Sequence, residues 1–299
     1  MRAIIQHESS GPITLTDVPQ PAPLPTEVLV RVHAAGVNPV DWKTRAGSGM
    51  AGLQTFPFIN GWDVSGVVEE VGFGVTTLKP GDEVYGMPRF PHAASAYAEY
   101  VTAPSRHFAK KPQGLSHVEA AGLPLAGLTA WQVLIDTADL QPGQKVLVTA
   151  AAGGVGHLAV QIAKAHGAYV IGTARAAKHA FLKDLGADEV IDYTQGDYEG
   201  TDVDVFVDLV GGASPASVRG GGLFVGVPSG VDSVRRDDIR ISSILVEPDR
   251  AGLEAITALV ESGELRVHVD ATFPLADAGK AHALGETGRT QGKIVLEAL

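Results

Sequence analysis

The stretch Val146-Leu147-Val148-Thr149-Ala150-Ala151-Ala152-Gly153-Gly154-Val155-Gly156 decides the fold. Its apolar start reads as a strand buried on both faces, its small residues as a turn, and positions 155–166 as a helix that begins at once. Small side chains let a phosphate approach the backbone, and the unpaired N–H groups and dipole of a helix start attract it. A dinucleotide pyrophosphate needs this arrangement. The spacing is Ala-x-x-Gly-x-x-Gly, and tight strand–helix packing would also select small residues there. The strand–turn–helix context, with a second strand about twenty residues on, favours the cofactor.

The end of that second strand bears on the nucleotide. Ile171-Gly172-Thr173-Ala174-Arg175-Ala176-Ala177-Lys178 has no acid before Asp184, whereas NAD sites place one there to hold the ribose 2′-OH. Arg175 and Lys178 offer cations for a 2′-phosphate. Two solvated helix charges are the plain alternative. The missing acid favours NADPH.

Working outward, strands are expected at 146–149, 169–172, 189–191, 203–209, 223–227 and 241–246, with helices at 155–166, 176–185 and 250–261. Strands alternating with helices imply right-handed βαβ units and a parallel sheet. Upstream, 28–33, 64–72, 83–86 and 97–101 read as short strands, with a Lys79-Pro80-Gly81-Asp82 turn, and suggest a small irregular barrel. Ser116-His117-Val118-Glu119 has the form of a capping box that opens an Ala/Leu-rich segment. Lys293-Ile294-Val295-Leu296 reads as a last strand returning to the first domain, because the parallel sheet already has six. The expected domains are 1–123 with 265–299, and 124–264.

Composition narrows the function. The 299 residues include no cysteine, which excludes disulfides, thiolate zinc sites and Fe–S clusters. The net charge of −11 argues against a basic nucleic-acid surface. The ten histidines form no metal-binding spacing, and no Gly-x-Ser-x-Gly elbow is present, so neither a histidine metal site nor a serine hydrolase gains support. The longest uncharged stretch, 146–163, is the strand–turn–helix itself rather than a membrane span. With no signal-peptide run at the start, the expectation is a cytoplasmic protein.

Several further stretches carry a family resemblance: Gly36-Val37-Asn38-Pro39-Val40-Asp41-Trp42-Lys43, Gly61-Trp62-Asp63-Val64-Ser65-Gly66, Lys79-Pro80-Gly81-Asp82-Glu83-Val84, Leu128-Thr129-Ala130-Trp131, Leu185-Gly186-Ala187-Asp188 and Gly292-Lys293-Ile294-Val295-Leu296. With the glycine turn they span nearly the whole chain in order. The chain resembles the medium-chain dehydrogenase/reductases and is most similar to the zinc-independent quinone oxidoreductase branch that includes zeta-crystallin. The resemblance implies an α/β fold: a GroES-like β-barrel domain and a Rossmann domain, with the active site in the cleft between them, and a homodimer.

The resemblance also implies roles. Asn38 and Asp41 would lie beside the nicotinamide, with Asn38 hydrogen-bonding substrate or cofactor. Lys43 would donate to a carbonyl oxygen as charge develops on it, with Asp41 pairing to Lys43 or Arg45. Thr129 would sit near the nicotinamide. The amides of Gly153, Gly154 and Val155 would hold the pyrophosphate, and Thr173, Ala174, Arg175, Lys178 and Tyr193 would ring the adenosine phosphate. Val210, Val227, Pro228 and Ser229 stand where ligands bind in parallel sheets, and Gly292 and Lys293 would close over the nicotinamide side.

Two departures sharpen the expectation. Zinc-dependent relatives carry a Cys in the first domain and a His-Glu pair near Trp62-Asp63, so no metal is expected here. Quinone reductases of the branch often have Tyr at the position of Lys43, and Asp41-Trp42-Lys43 is instead similar to plant alkenal/enone oxidoreductases. Segment 211–222 is shorter than usual, which suggests a trimmed sheet crossover. The expected function is metal-free transfer of hydride from NADPH to a quinone or to the C=C of an α,β-unsaturated carbonyl. The alternative is a non-catalytic, crystallin-like NADPH-binding protein.

Overall fold

In the computed structural model, which describes residues 1–298 apart from 197, 228–230, 232 and 233, the expected parallel sheet is present. It has six strands in the order Glu189–Ile191, Tyr169–Thr173, Lys145–Val148, Val203–Asp208, Val218–Gly226, Arg240–Ser243. All neighbours run parallel. Numbered along the chain this is 3-2-1-4-5-6, the doubly wound dinucleotide-binding order. Val146, Leu147 and Val148 are wholly buried, as a strand covered on both faces must be. The helix Gly156–Ala165 packs on this strand and on Tyr169–Thr173.

Some boundaries differ from expectation. The fifth strand starts at Val218, so 218–222 is already strand, and the crossover from Asp208 holds only a short 3-10 turn, Pro215–Ser217. The segment expected as a strand at 97–101 pairs from Tyr100 to Pro104 instead. Tyr97 is pinned ahead of that strand: its ring fills the space above Gly61, where a Cβ would stand 2.2 Å from the ring.

The chain divides into two compact units, 1–128 with 247–261 and 267–299, and 129–246 with 262–266. This corrects the expected boundary, because the helix Arg250–Glu261 belongs with the first unit. It packs on the strand Phe108–Lys110, the buried Tyr85 hydroxyl donates to Leu253 O at 2.5 Å, and Ile256 lies against Gly127.

In the first unit the long strand Glu27–Val37 organises a seven-stranded sheet, pairing with Val64–Val71, Tyr100–Pro104 and Lys293–Glu297. Val28, Val30 and Val32 alternate into a core with Val64, Val84, Phe108 and Leu296. The C-terminal strand returns to this domain as expected, with Ile294 opposite Val37. That register sets Lys293 beside Asn38. The Ser116 capping box forms: its hydroxyl accepts from Glu119 N, and Glu119 Oε2 accepts from Ser116 N at 2.9 Å. Among the described residues no helix is long and apolar enough to cross a membrane.

Candidate active site

In the second unit the strand Lys145–Val148 runs into a tight turn. Ala150 takes a left-handed conformation, φ 46°, and its carbonyl accepts from Gly153 N at 2.9 Å. Ala151 N donates to Thr173 O, tying the turn to the second strand. A Cβ at Gly156 would stand 2.4 Å from Ala150 O and 2.6 Å from Ala151 Cα, so only glycine lets the helix start this close. His157 reaches back from the first turn, its Nδ1 2.9 Å from Gly153 O.

The expected trio of phosphate donors is therefore corrected. The Gly153 amide is consumed inside the turn, while those of Gly154 and Val155 make no hydrogen bond among the described residues. They open the ten-residue helix at its positive dipole end.

At the end of the second strand Thr173 and Ala174 are buried, and Arg175 is exposed with its Nε donating to the Tyr193 hydroxyl at 3.1 Å. Lys178 is half-buried on the next turn. An acid from the third strand end, Asp192, was missed by reading the second strand alone. Hydrogen bonds from Thr194 hold its carboxyl below the ordinary range, and it also accepts from Ala176 N at 3.2 Å.

The switch point of the sheet lies between its first and fourth strands. There the buried Asp208 accepts from Thr149 Oγ1, Val210 N, Gly211 N and Ala213 N at 2.9–3.2 Å. Val210 beside it is 71% exposed. Val227 is half-buried and bonds Asp208 O, Thr129 is buried on the helix Pro124–Trp131, and Pro228 and Ser229 lie outside the described residues.

The first unit holds a buried polar cluster. Asn38 is extended (φ −132°) and precedes Pro39, which starts the helix Pro39–Arg45. Asp41 turns back to accept from Asn38 N at 2.6 Å and from the Tyr97 hydroxyl at 2.8 Å, and Tyr97 also meets His282 Nε2 at 3.2 Å. Asp63 accepts from Asn38 Nδ2 at 2.8 Å and from Leu125 N at 2.7 Å. Lys293 Nζ donates to Asn38 Oδ1 at 2.5 Å and lies 3.6 Å from Asp63.

All these side chains are buried. Burial lifts Asp41 to about 7 against the opposing bonds from Asn38 and Tyr97, and it lowers His282 to about 3. Burial also pushes the Asp63 carboxyl up and the Lys293 ammonium down, and their mutual attraction opposes both shifts.

Two expectations change here. Asp41 pairs with neither Lys43 nor Arg45. Two residues along a helix are about 200° apart, so Lys43 lies on the exposed face, and Arg45 pairs with Glu286 at 2.8 Å. The Lys293 ammonium is engaged with Asn38 and Asp63, and Gly292, at φ 73°, brings its strand in against His268 O. Sequence reasoning gave no role to Asp63, Tyr97 or His282. Asp63 had a signal, standing where zinc-dependent relatives place their acidic pair. Tyr97 and His282 had none.

The donor set does not fit a zinc ion. There is no cysteine, the Trp62 indole donates to His92 O, and Asp63 is occupied as described. Among the described residues no group of three His, Asp or Glu side chains is placed to hold a metal. The open amides of Gly154 and Val155, the cations Arg175 and Lys178 and the 3-2-1-4-5-6 sheet do fit a phosphorylated dinucleotide.

Fold and site together define a dinucleotide-dependent oxidoreductase. Residues 24–113 match the alcohol dehydrogenase GroES-like domain and residues 185–296 the zinc-binding dehydrogenase family. The chain is 36% identical over 306 residues to the chloroplast envelope quinone oxidoreductase homolog of Arabidopsis thaliana, covering 94% of this chain and 92% of that one. It is 35% identical over 283 residues to the chloroplastic NADPH-dependent alkenal/one oxidoreductase of the same plant, covering 90% and 72%. The solved quinone oxidoreductase of Coxiella burnetii superposes with a TM-score of 0.93 at 38% identity, covering 100% and 99%. The chain belongs to the medium-chain dehydrogenase/reductase superfamily, among its quinone oxidoreductases.

Proposed function

We propose that the chain is an NADPH-dependent, metal-free reductase of quinones or of the C=C of α,β-unsaturated carbonyls. The observation that carries the reading is the pair of open amides, Gly154 and Val155, at a glycine turn in a 3-2-1-4-5-6 sheet. When bound, the cofactor supplies the hydride. The amides of Gly154 and Val155 donate to the pyrophosphate, and Arg175, braced by Tyr193, and Lys178 face the 2′-phosphate. Asn38 hydrogen-bonds the substrate oxygen, where negative charge gathers in the transition state. Lys43, on the exposed face of its helix, holds a proton for an enolate product. The relatives are named as a quinone oxidoreductase homolog and an NADPH-dependent alkenal/one oxidoreductase, which supports turnover over a crystallin-like role.

The test mixes purified protein and NADPH with a panel of quinones and enones and follows loss of NADPH absorbance. No oxidation with any acceptor would sink the reading. The same reading takes the protein as a cytoplasmic homodimer with no nucleic-acid or membrane partner. Equilibrium sedimentation tests the dimer and cell fractionation the compartment.

A further inference from the structure

The polar cluster of the first unit does more than satisfy itself. A side-chain amide can stand either way round, and which end faces a ligand decides whether it donates or accepts. At Asn38 both ends are assigned. Lys293 has only donors, and its Nζ sits 2.5 Å from one end, which must be the oxygen. Asp63 Oδ2 sits 2.8 Å from the other end, which must be the nitrogen.

Turning the amide over would set NH2 against NH3⁺ and oxygen against carboxylate. The two holders are themselves locked. Asp63 Oδ1 accepts from Leu125 N at 2.7 Å, and Gly36 leaves room for its carboxylate, since a Cβ there would stand 2.8 Å from Oδ2. Lys293 enters on a strand whose register is set by Ile294 opposite Val37. Asn38 is also fixed at its backbone, through Asp41. One Nδ2 hydrogen goes to Asp63, and the second makes no hydrogen bond among the described residues.

We propose that Asp63 and Lys293 are positioning residues that hold the Asn38 amide in one orientation, so that it meets the substrate as a hydrogen-bond donor. The inference rests on the reading of Asn38 as a substrate contact. Chemically, an oriented N–H favours a substrate whose oxygen gains negative charge, as the carbonyl of an enone or quinone does. The ammonium on Oδ1 draws electron density from the amide and strengthens the free N–H as a donor. A substrate that must itself donate to Asn38, such as an alcohol undergoing oxidation, would meet the wrong end.

A mutant cycle on the full chain tests this, comparing Asn38→Ala, the pair Asp63→Asn with Lys293→Met, and all three together. The pair removes the Asp63 and Lys293 charges together, so neither is left buried without the other. With NADPH saturating, Asn38→Ala should lower kcat on the order of a hundredfold, as loss of one oriented donor does. The pair should lower kcat roughly tenfold or more, as misplacement of a contact does, with NADPH affinity unchanged. The triple variant should be no slower than Asn38→Ala. A merely structural role would instead make the losses multiply, and that result overturns the proposal, as does wild-type kcat in the pair.

Should the pair melt before assay, Asp63→Asn alone serves. Its amide cannot accept from both Leu125 N and Asn38 Nδ2, so kcat should again fall, and wild-type kcat there would overturn the inference. Wild-type kcat in Asn38→Ala is a separate outcome: it removes the substrate contact, and the positioning role falls with it.

Discussion

The Lys293 ammonium and the Asn38 side-chain oxygen meet at 2.5 Å although 255 positions separate them in the chain. Both residues are about 2% exposed. A lysine is seldom buried without a partner, and here Asn38 and Asp63 supply its partners in the first unit. The pairing comes from the return of the C-terminal strand onto Glu27–Val37.

The cofactor phosphate site should respond to single charges. Arg175→Ala should raise the NADPH dissociation constant roughly tenfold to a hundredfold, the equivalent of losing one charge-assisted hydrogen bond. Lys178→Ala should act in the same direction. Fluorescence titration with NADH should show little change in either variant, because that cofactor lacks the 2′-phosphate. An equal loss for both cofactors would assign these cations to something else.

Gly156 should tolerate no side chain. Its Cβ would lie 2.4 Å from Ala150 O, a backbone atom at the root of the turn. Gly156→Ala should destabilise by about 1–3 kcal/mol through overpacking and weaken NADPH binding, because the Gly154 and Val155 amides move with the turn. Thermal melting and titration on the same sample check both. Unaltered binding would separate this turn from the cofactor.

Asp41 and His282 make opposite pH signatures. Asp41 sits near 7 in the fold against an ordinary 3.8, so its contribution is full below 3.8 and is lost as pH rises towards 7. His282 sits near 3 against 6.5, so its contribution is full above 6.5 and is lost as pH falls towards 3. Between pH 4 and 6.5 the two oppose each other. Asp41→Asn keeps an acceptor for Asn38 N and Tyr97 but removes the falling component. The melting temperature of the variant relative to wild type should therefore rise with pH from 4 to 7. A flat or falling difference would contradict the raised carboxyl.

Metal removal should leave turnover unchanged. Asp63 is consumed by Leu125 N, Asn38 and Lys293, and Trp62 stands beside it. Dialysis against a chelator should not slow NADPH oxidation, and elemental analysis should find no stoichiometric zinc. Loss of activity restored by zinc would overturn this.

Local chemistry made much of the molecule legible. Buried parallel strands announce themselves as short apolar runs, so Lys145–Val148 and Tyr169–Thr173 were readable almost residue by residue. The Ser116 box and the glycine turn are local for the same reason. One error was avoidable from local geometry: Asp41 and Lys43 are two apart on a helix and face opposite ways. The trimmed crossover was visible as a shortage of residues after Asp208, but not the early start of strand Val218–Gly226.

Sequence alone determined the alternating strands and helices of the parallel sheet, the glycine turn and the lack of a cysteine-based metal site, because each depends on neighbours within a few residues. Only the tertiary structure decided that Gly153 spends its amide inside the turn, that helix Arg250–Glu261 joins the first unit, and that Asn38, Asp63 and Lys293 form one cluster. These depend on which distant strands pair and in which register. No local pattern encodes such a pairing, because its energy comes from burying surfaces that meet only when the chain has folded.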